Sequence, residues 1–120
     1  MKIQFIKQAT ERLALKIINY RLVQEFLSEF IGTLVLVCLG CGGSAQIILQ
    51  SKDLNYDHLS ISIAWGFGVF IGLILSVNIT GYLNPAITFA MFVLKRISLT
   101  QLIVFTAGQY LGNLTRFNEV

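Results

Sequence analysis

Apolar residues occur along the chain in three long runs that are separated by short polar segments. The runs cover residues 26–49, 59–77 and 99–114. A helix needs roughly 20 apolar residues to cross a hydrocarbon core about 30 Å thick. The first two runs are long enough to do so, and the third is barely long enough. This pattern predicts three membrane-spanning helices.

A shorter apolar segment, residues 85–94, lies between the second and third runs and begins at Asn84-Pro85-Ala86. Asn caps the free amides at a helix N-terminus, and Pro favours the first helical position, so this triplet predicts a helix start. The helix would end at Lys95-Arg96 after about ten residues, or roughly 15 Å, which is half of the hydrocarbon thickness. We therefore predict a re-entrant half-helix whose N-terminal amides lie near the bilayer midplane.

The segment immediately before the half-helix, residues 78–83, is short and irregular in its pattern. Irregular backbone at membrane depth is tolerated only where it lines a water-filled cavity or is buried in protein. The free amides of the half-helix carry about half a positive charge, which repels cations and protons. The side-chain amide of Asn84 can donate a hydrogen bond to a passing neutral molecule. This combination is typical of channels for water and small solutes.

The first 21 residues combine apolar and basic side chains in a loosely helical pattern, which is typical of a cytoplasmic tail or of a helix on a membrane surface. Five of the nine Lys and Arg residues lie in this tail, and Lys95 and Arg96 lie at the end of the half-helix. The other two, Lys52 and Arg116, are predicted to lie on the opposite side of the membrane. The positive-inside rule therefore places the N-terminus in the cytoplasm.

The composition supports a membrane protein, because 55% of the 120 residues are hydrophobic and only 12% are charged. The mean hydropathy of +0.72 is far above that of soluble globular domains. The net charge of +3 is small, and the basic residues do not form a nucleic-acid surface. The expected partner is the lipid bilayer, and no nucleic acid is expected.

No residue in the sequence has the pattern of a catalytic base, a nucleophile, a metal ligand set or a cofactor site. We therefore predict that the chain is not an enzyme and has no metal and no cofactor. Cys38 and Cys41 have a C-x-x-C spacing, but they lie in an apolar, glycine-rich run. A redox motif needs a solvent-facing helix start beside a sheet, and a zinc site needs more ligands. The two cysteines are interpreted as small packing residues.

Three motifs in order give the chain a resemblance to the major intrinsic protein family, the aquaporins. Residues 28–33 resemble the family's first-helix pattern, residues 83–90 resemble its first NPA box, and residues 108–112 resemble its third helix. The similarity covers about residues 22–114. It implies an all-α transmembrane fold, with three membrane spans plus one re-entrant half-helix, that resembles the first repeat of the aquaporin fold. The predicted divisions are a cytoplasmic amphipathic tail (1–21), half of an aquaporin-like transmembrane domain (22–114) and a C-terminal tail (115–120).

Two features resemble the glycerol-conducting branch of the family. Residues 39–42, followed by Ala45-Gln46, are similar to the first helix of that branch. Trp65 occupies the position at which glycerol facilitators place an aromatic residue in their narrow filter, where an indole face can hold the carbon edge of a polyol. The alternative for Trp65 is a residue of the interfacial aromatic belt. The resemblance implies a passive channel for water and small neutral polyols such as glycerol, with Asn84, Pro85, Ala86 and Trp65 as pore and selectivity residues.

Two further residues have roles implied by the resemblance. Glu29 is an ionisable group inside a span, which is costly and marks a functional or structural polar network. In the family this glutamate braces the half-helix loop by accepting backbone hydrogen bonds, and the alternative is a position at the cytoplasmic interface. Tyr82 stands where the family usually has a histidine, two residues before the NPA asparagine. The bulkier ring predicts a narrower mouth of the pore or altered gating.

The sequence contains one NPA triplet, whereas the family builds its pore from two inverted repeats. The simplest expectation is a truncated product, a splice form or an incomplete gene model of an aquaglyceroporin-like protein. Two hypotheses follow from different classes. One is a passive channel, and the other is a non-conducting membrane protein that associates with or modulates full-length channel subunits. Either is expected in the plasma membrane as a homo- or hetero-oligomer with aquaporin-like subunits.

Overall fold

The structure is a computed structural model that describes residues 2–50 and 54–115. These residues form four helices, α1 (Lys2–Gln50), α2 (Leu54–Ser76), α3 (Pro85–Val93) and α4 (Leu99–Leu114). The predicted C-terminal tail lies outside the described residues except for residue 115, and part of the polar connection between the first two runs also lies outside them.

The helix α1 contains both the predicted N-terminal tail and the first predicted span. It has 49 residues, which corresponds to about 74 Å at 1.5 Å per residue, and the molecule is 78 Å long. Every side chain that is described from Gln4 to Arg21 is exposed, and Glu25 is the first buried one. The change of composition near residue 22 therefore marks the point where α1 enters the bundle, and the helical backbone continues through it.

The contact between α1 and α2 depends on glycines that let the two backbones approach closely. A β-carbon on Gly72 would lie 2.7 Å from the carbonyl oxygen of Gly32, and one on Gly68 would lie 2.7 Å from the carbonyl oxygen of Leu36. Both distances are far below ordinary carbon–oxygen contact, so only glycine fits at these two positions. Small residues are the usual means by which membrane helices pack, since lipid supplies no hydrophobic drive between helices.

The helix α4 packs on a different part of α1 by the same means. β-Carbons on Gly108 and Gly112 would lie 2.7 Å and 2.6 Å from the carbonyl oxygens of Phe26 and Phe30. The short helix α3 packs against α4. Together these contacts make α1 the central helix of the bundle.

Large apolar side chains lie on the outside of the bundle and several polar ones lie inside it, which is the distribution expected of a protein surrounded by lipid. Helical segments that are long enough to cross a membrane, and that contain an apolar stretch of the required length, occur in α1 (within residues 6–47) and in α2 (residues 58–76). Large apolar side chains cover the outer surface, for example Phe67 and Phe70, which are 60% and 59% exposed. Among the residues whose side chains are described, the buried polar and charged ones are Glu25, Ser28, Glu29, Thr33, Ser76, Thr88 and Gln109.

Candidate functional site

The segment between α2 and α3 enters the bundle as irregular backbone that is held at several points. Gly81 has φ +80° and Leu83 has φ +52°. Positive φ is uncommon for a residue other than glycine, and such a conformation persists only where the surroundings hold it. Leu83 is held by its side chain, which is 7% exposed and lies against Gly32 and Gly72. The absence of side chains on those two glycines therefore makes room for the loop as well as for the helix contact.

Glu29 is fully buried, and its carboxylate lies directly beneath this loop. Its Oε1 accepts a hydrogen bond from the backbone N–H of Tyr82 at 2.9 Å, and its Oε2 accepts one from the backbone N–H of Leu83 at 2.7 Å. The side-chain amide of Gln109 donates the third hydrogen bond to this carboxylate, again to Oε2 and at 2.7 Å. A buried carboxylate needs several such donors to offset its desolvation. Here the donors come from the loop and from α4.

Gln109 and Thr88 extend this network to the start of α3. The Gln109 side-chain amide nitrogen also donates to the Thr88 hydroxyl at 2.8 Å, and that hydroxyl donates to the carbonyl oxygen of Asn84 at 3.0 Å. Gln109 is 1% exposed and Thr88 is fully buried. Neither residue was assigned a functional role from the sequence. The available signal was an uncharged polar residue inside an apolar span, which is costly unless it has a partner.

We expect the replacement of Gln109 by alanine to destabilise the protein by about 2 kcal/mol, because it removes a donor to the buried carboxylate and leaves polar atoms without partners. Asn113→Ala is the matched control, since Asn113 is an exposed amide one turn further along α4. The measurement is the free energy of unfolding of both variants in mixed detergent micelles. Equal losses in the two variants would show that the buried network contributes nothing.

Asn84 forms the N-cap of α3 and is exposed. Its Oδ1 accepts a hydrogen bond from the backbone N–H of Ala86 at 2.9 Å, and Pro85 occupies the first helical position. Within the described part of the chain, no hydrogen bond uses the Nδ2 of Asn84. The positive end of the α3 dipole therefore carries a side-chain amide whose donors are free to bind a ligand.

Trp65 lies in the contact between α1 and α2. Its indole Nε1 donates a hydrogen bond to the hydroxyl of Ser44 at 3.1 Å. The ring covers Gly40, where a β-carbon would lie 2.5 Å from ring carbon Cδ2. The side chain is half-buried. Because α2 continues for eleven residues from Trp65 to Ser76, about 17 Å separate the tryptophan from the loop along the helix axis.

Tyr82 turns its ring towards α4. The ring packs on that of Phe105, with centroids 5.6 Å apart and planes inclined by 39°. Tilted pairs at this separation are favourable beyond the area they bury. The backbone of Tyr82 is held by Glu29 and the ring is held by Phe105, so the side chain is fixed at both ends.

Known proteins resemble this chain over most of its length. Residues 16–117 match the family described as major intrinsic protein. The chain is 38% identical over 94 residues to an aquaglyceroporin of Plasmodium berghei, covering 78% of this chain and 36% of that protein. It is 35% identical over 107 residues to aquaporin-9 of Rattus norvegicus, covering 88% of this chain and 35% of that protein.

A solved structure shares the fold. The X-ray structure of the aquaglyceroporin from Plasmodium falciparum matches with a TM-score of 0.69 and 30% sequence identity, over 76% of this chain and 37% of that one. The chain thus spans about a third of the length of the curated relatives described above. The predicted fold class, an all-helical bundle that resembles the first repeat of the aquaporin fold, is confirmed.

Proposed function

Because the chain belongs to the major intrinsic protein family, we propose that it contributes to a passive channel for water and small neutral polyols such as glycerol. The relatives are named as aquaglyceroporins and aquaporins, which are integral membrane channels and not enzymes. The observation that carries the proposal is the buried carboxylate of Glu29, which holds the irregular loop in the bundle. The loop in turn positions the N-terminal end of α3, which carries the free backbone amides.

Asn84, Pro85 and Ala86 form the selectivity element of the proposed channel. Pro85 starts α3 without an N–H of its own, and the Asn84 cap satisfies the amide of Ala86. The remaining donors of the Asn84 side chain bind the oxygen of water or of a polyol hydroxyl. The positive end of the helix dipole raises the energy of a cation at the same place. Neutral molecules that accept hydrogen bonds therefore pass, and ions are excluded.

Three further residues have proposed roles around this element. Glu29 braces the loop through its hydrogen bonds to two consecutive backbone amides. Trp65 forms an apolar wall of the filter, because its N–H is used by Ser44 and the ring face remains for the carbon edge of a polyol. Tyr82 narrows the mouth beside the loop, with its ring held against Phe105.

The described helices include one half-helix, α3, and pores made of inverted repeats require two that meet at the midplane. We propose that a second set of helices supplies the opposite wall, either from further sequence of the same protein or from another aquaporin-like subunit. The apolar groove between α3 and α4, lined by Phe89, Ile103 and Tyr110 among others, is available for that contact. The N-terminus is proposed to be cytoplasmic, and the membrane to be the plasma membrane.

The substitution Asn84→Asp tests the selectivity element. Aspartate keeps the oxygen that caps Ala86, but it removes the amide donors and places a negative charge at the constriction. We expect water and glycerol flux to fall about tenfold, which corresponds to a barrier higher by about 1.4 kcal/mol. The measurement is the rate of shrinkage of vesicles that contain the protein in an osmotic step with sucrose, followed by re-swelling in glycerol.

Asn78→Asp is the matched control, because it introduces the same charge at an exposed position earlier in the same segment and should leave the flux unchanged. Equal effects of the two substitutions would contradict the assignment of Asn84. Wild-type protein that is shown to be inserted but shrinks no faster than empty vesicles would overturn conduction by this chain alone. Co-insertion with a full-length relative would then test the alternative role, a non-conducting subunit that modulates the channel.

A further inference from the structure

A polar cleft lies between α1 and the start of α4, apart from the Asn84 loop. Its volume is about 460 Å³. Arg21, Glu25, Arg96 and Gln101 line its polar side, and Ile18 and Leu22 of α1 line its apolar side. The cleft thus combines two guanidinium groups, one carboxylate and an apolar wall.

Glu25 is only 3% exposed, and its two carboxylate oxygens have different surroundings. Oε1 accepts hydrogen bonds from the Nε of Arg21 and from the side-chain amide of Gln101, both at 3.0 Å. Oε2 is buried and has no hydrogen-bond partner among the residues that the structure describes. A buried carboxylate oxygen without a donor is costly. The carboxylate of Glu25 therefore has one oxygen that no donor among the described residues satisfies.

The rim of the cleft carries the opposite charge. The side chain of Arg21 is 75% exposed although its Nε binds Glu25, so its other nitrogens can bind a second partner. Arg96 is exposed, and in residues 2–50 and 54–115 no acidic side chain forms an ion pair with it. Guanidinium groups suit phosphate because they offer several donors in one plane. A ligand that fits both features carries a phosphate and a group that donates hydrogen bonds to a carboxylate.

The position of the cleft indicates that this ligand is part of a lipid. Arg96 follows the end of α3, and α4 begins at Leu99, so the cleft lies beside the short connection between two apolar helices. The apolar side chains of Ile18 and Leu22 on α1 line the same cleft. Basic clefts between membrane helices at the bilayer surface bind lipid headgroups.

We propose that this cleft binds the phosphoethanolamine headgroup of a membrane phospholipid. Arg21 and Arg96 bind the phosphate, and the primary ammonium donates to the carboxylate of Glu25, which lines the cleft. The proposal requires that the chain lies in a membrane, but it does not depend on conduction, and it holds for either orientation of the protein.

The test compares two lipids that differ only in the ammonium group. The full chain is purified in mild detergent and titrated with phosphatidylethanolamine and with phosphatidylcholine that has the same acyl chains, and bound lipid is counted by native mass spectrometry. Choline has no N–H, so the wild type should bind phosphatidylethanolamine about tenfold more tightly. Glu25→Gln should abolish this preference, because its amide offers a donor where the ammonium needs an acceptor.

Arg96→Gln should weaken the binding of both lipids alike, since both carry the phosphate. Arg96 is exposed, so this variant remains informative if Glu25→Gln does not fold. Glu11→Gln and Lys7→Gln make the same changes of charge at exposed positions of α1 and should bind both lipids as the wild type does. Equal binding of the two lipids by the wild type, or a preference that survives in Glu25→Gln, would overturn the proposal. Displacement of the lipid by soluble phosphoethanolamine at equal concentration would also overturn it, in favour of a free ligand.

Discussion

Glu29→Ala is expected to lower the free energy of unfolding by about 5 kcal/mol, since it removes the shared acceptor of three N–H donors inside the bundle, at a cost of about 1–3 kcal/mol each. The three donors are the backbone amides of Tyr82 and Leu83 and the side-chain amide of Gln109. The hydrogen bonds from Leu83 and Gln109 are buried and the one from Tyr82 is partly buried, so water cannot replace the carboxylate at all three donors without rearrangement. The loop that carries Asn84 should therefore leave its place before the rest of the protein unfolds.

Two measurements separate the local effect from the global one. Hydrogen exchange at the amides of Tyr82 and Leu83 should become fast, while the amides in the middle of α2 stay protected. Unfolding in mixed detergent micelles gives the overall loss in the free energy of unfolding. Glu29→Gln should be intermediate, because it keeps one acceptor oxygen, and Glu11→Ala should be neutral because Glu11 is exposed on the same helix. Unchanged exchange in Glu29→Ala would contradict the assignment of Glu29 as the anchor of the loop.

Gly68→Val is expected to separate α2 from α1 and to cost about 3 kcal/mol. A β-carbon at this position would lie 2.7 Å from the carbonyl oxygen of Leu36. That oxygen belongs to the backbone of α1, so no side chain can turn away to make room. The helices must shift, and the shift would also disturb the Gly32–Gly72 contact on which Leu83 rests.

Gly66→Val is the matched control for this substitution. Gly66 lies two residues earlier in the same helix, and a β-carbon there would meet nothing within 4 Å. Both variants place the same β-branched residue in α2, so their difference in the free energy of unfolding isolates the helix contact. If the two variants lose the same stability, the close approach of α1 and α2 contributes nothing beyond the intrinsic preference for a helix.

Local chemistry accounts for the parts of the site that the sequence predicted well. The Asn84-Pro85 pair predicted a helix over residues 85–94, and α3 covers Pro85–Val93. A cap and a proline act within one helical turn, so their effect can be seen in adjacent residues. The irregular segment before the cap was likewise expected, because it is short and lacks an apolar pattern.

The remaining features depend on contacts between distant residues. Gln109 binds Glu29 across 80 positions of sequence, and nothing in the local pattern of either residue specifies the other. The positive φ of Leu83 arises from its buried amide and from the space left by two glycines on different helices. The continuity of α1 was missed for another reason. Polar and apolar residues are equally compatible with a helix, and a change of composition is not a change of backbone.

The central position of α1 also sets the order in which the protein can assemble. Within the residues that the structure describes, α2 and α4 each pack on α1 and not on each other. During synthesis from the N-terminus, α1 and α2 can pair as soon as both have left the ribosome. The loop can attach to Glu29 at that stage, but Gln109 belongs to α4, which is made last. The helical hairpin therefore forms first, and the hydrogen bonds that fix the start of α3 are completed only when α4 docks.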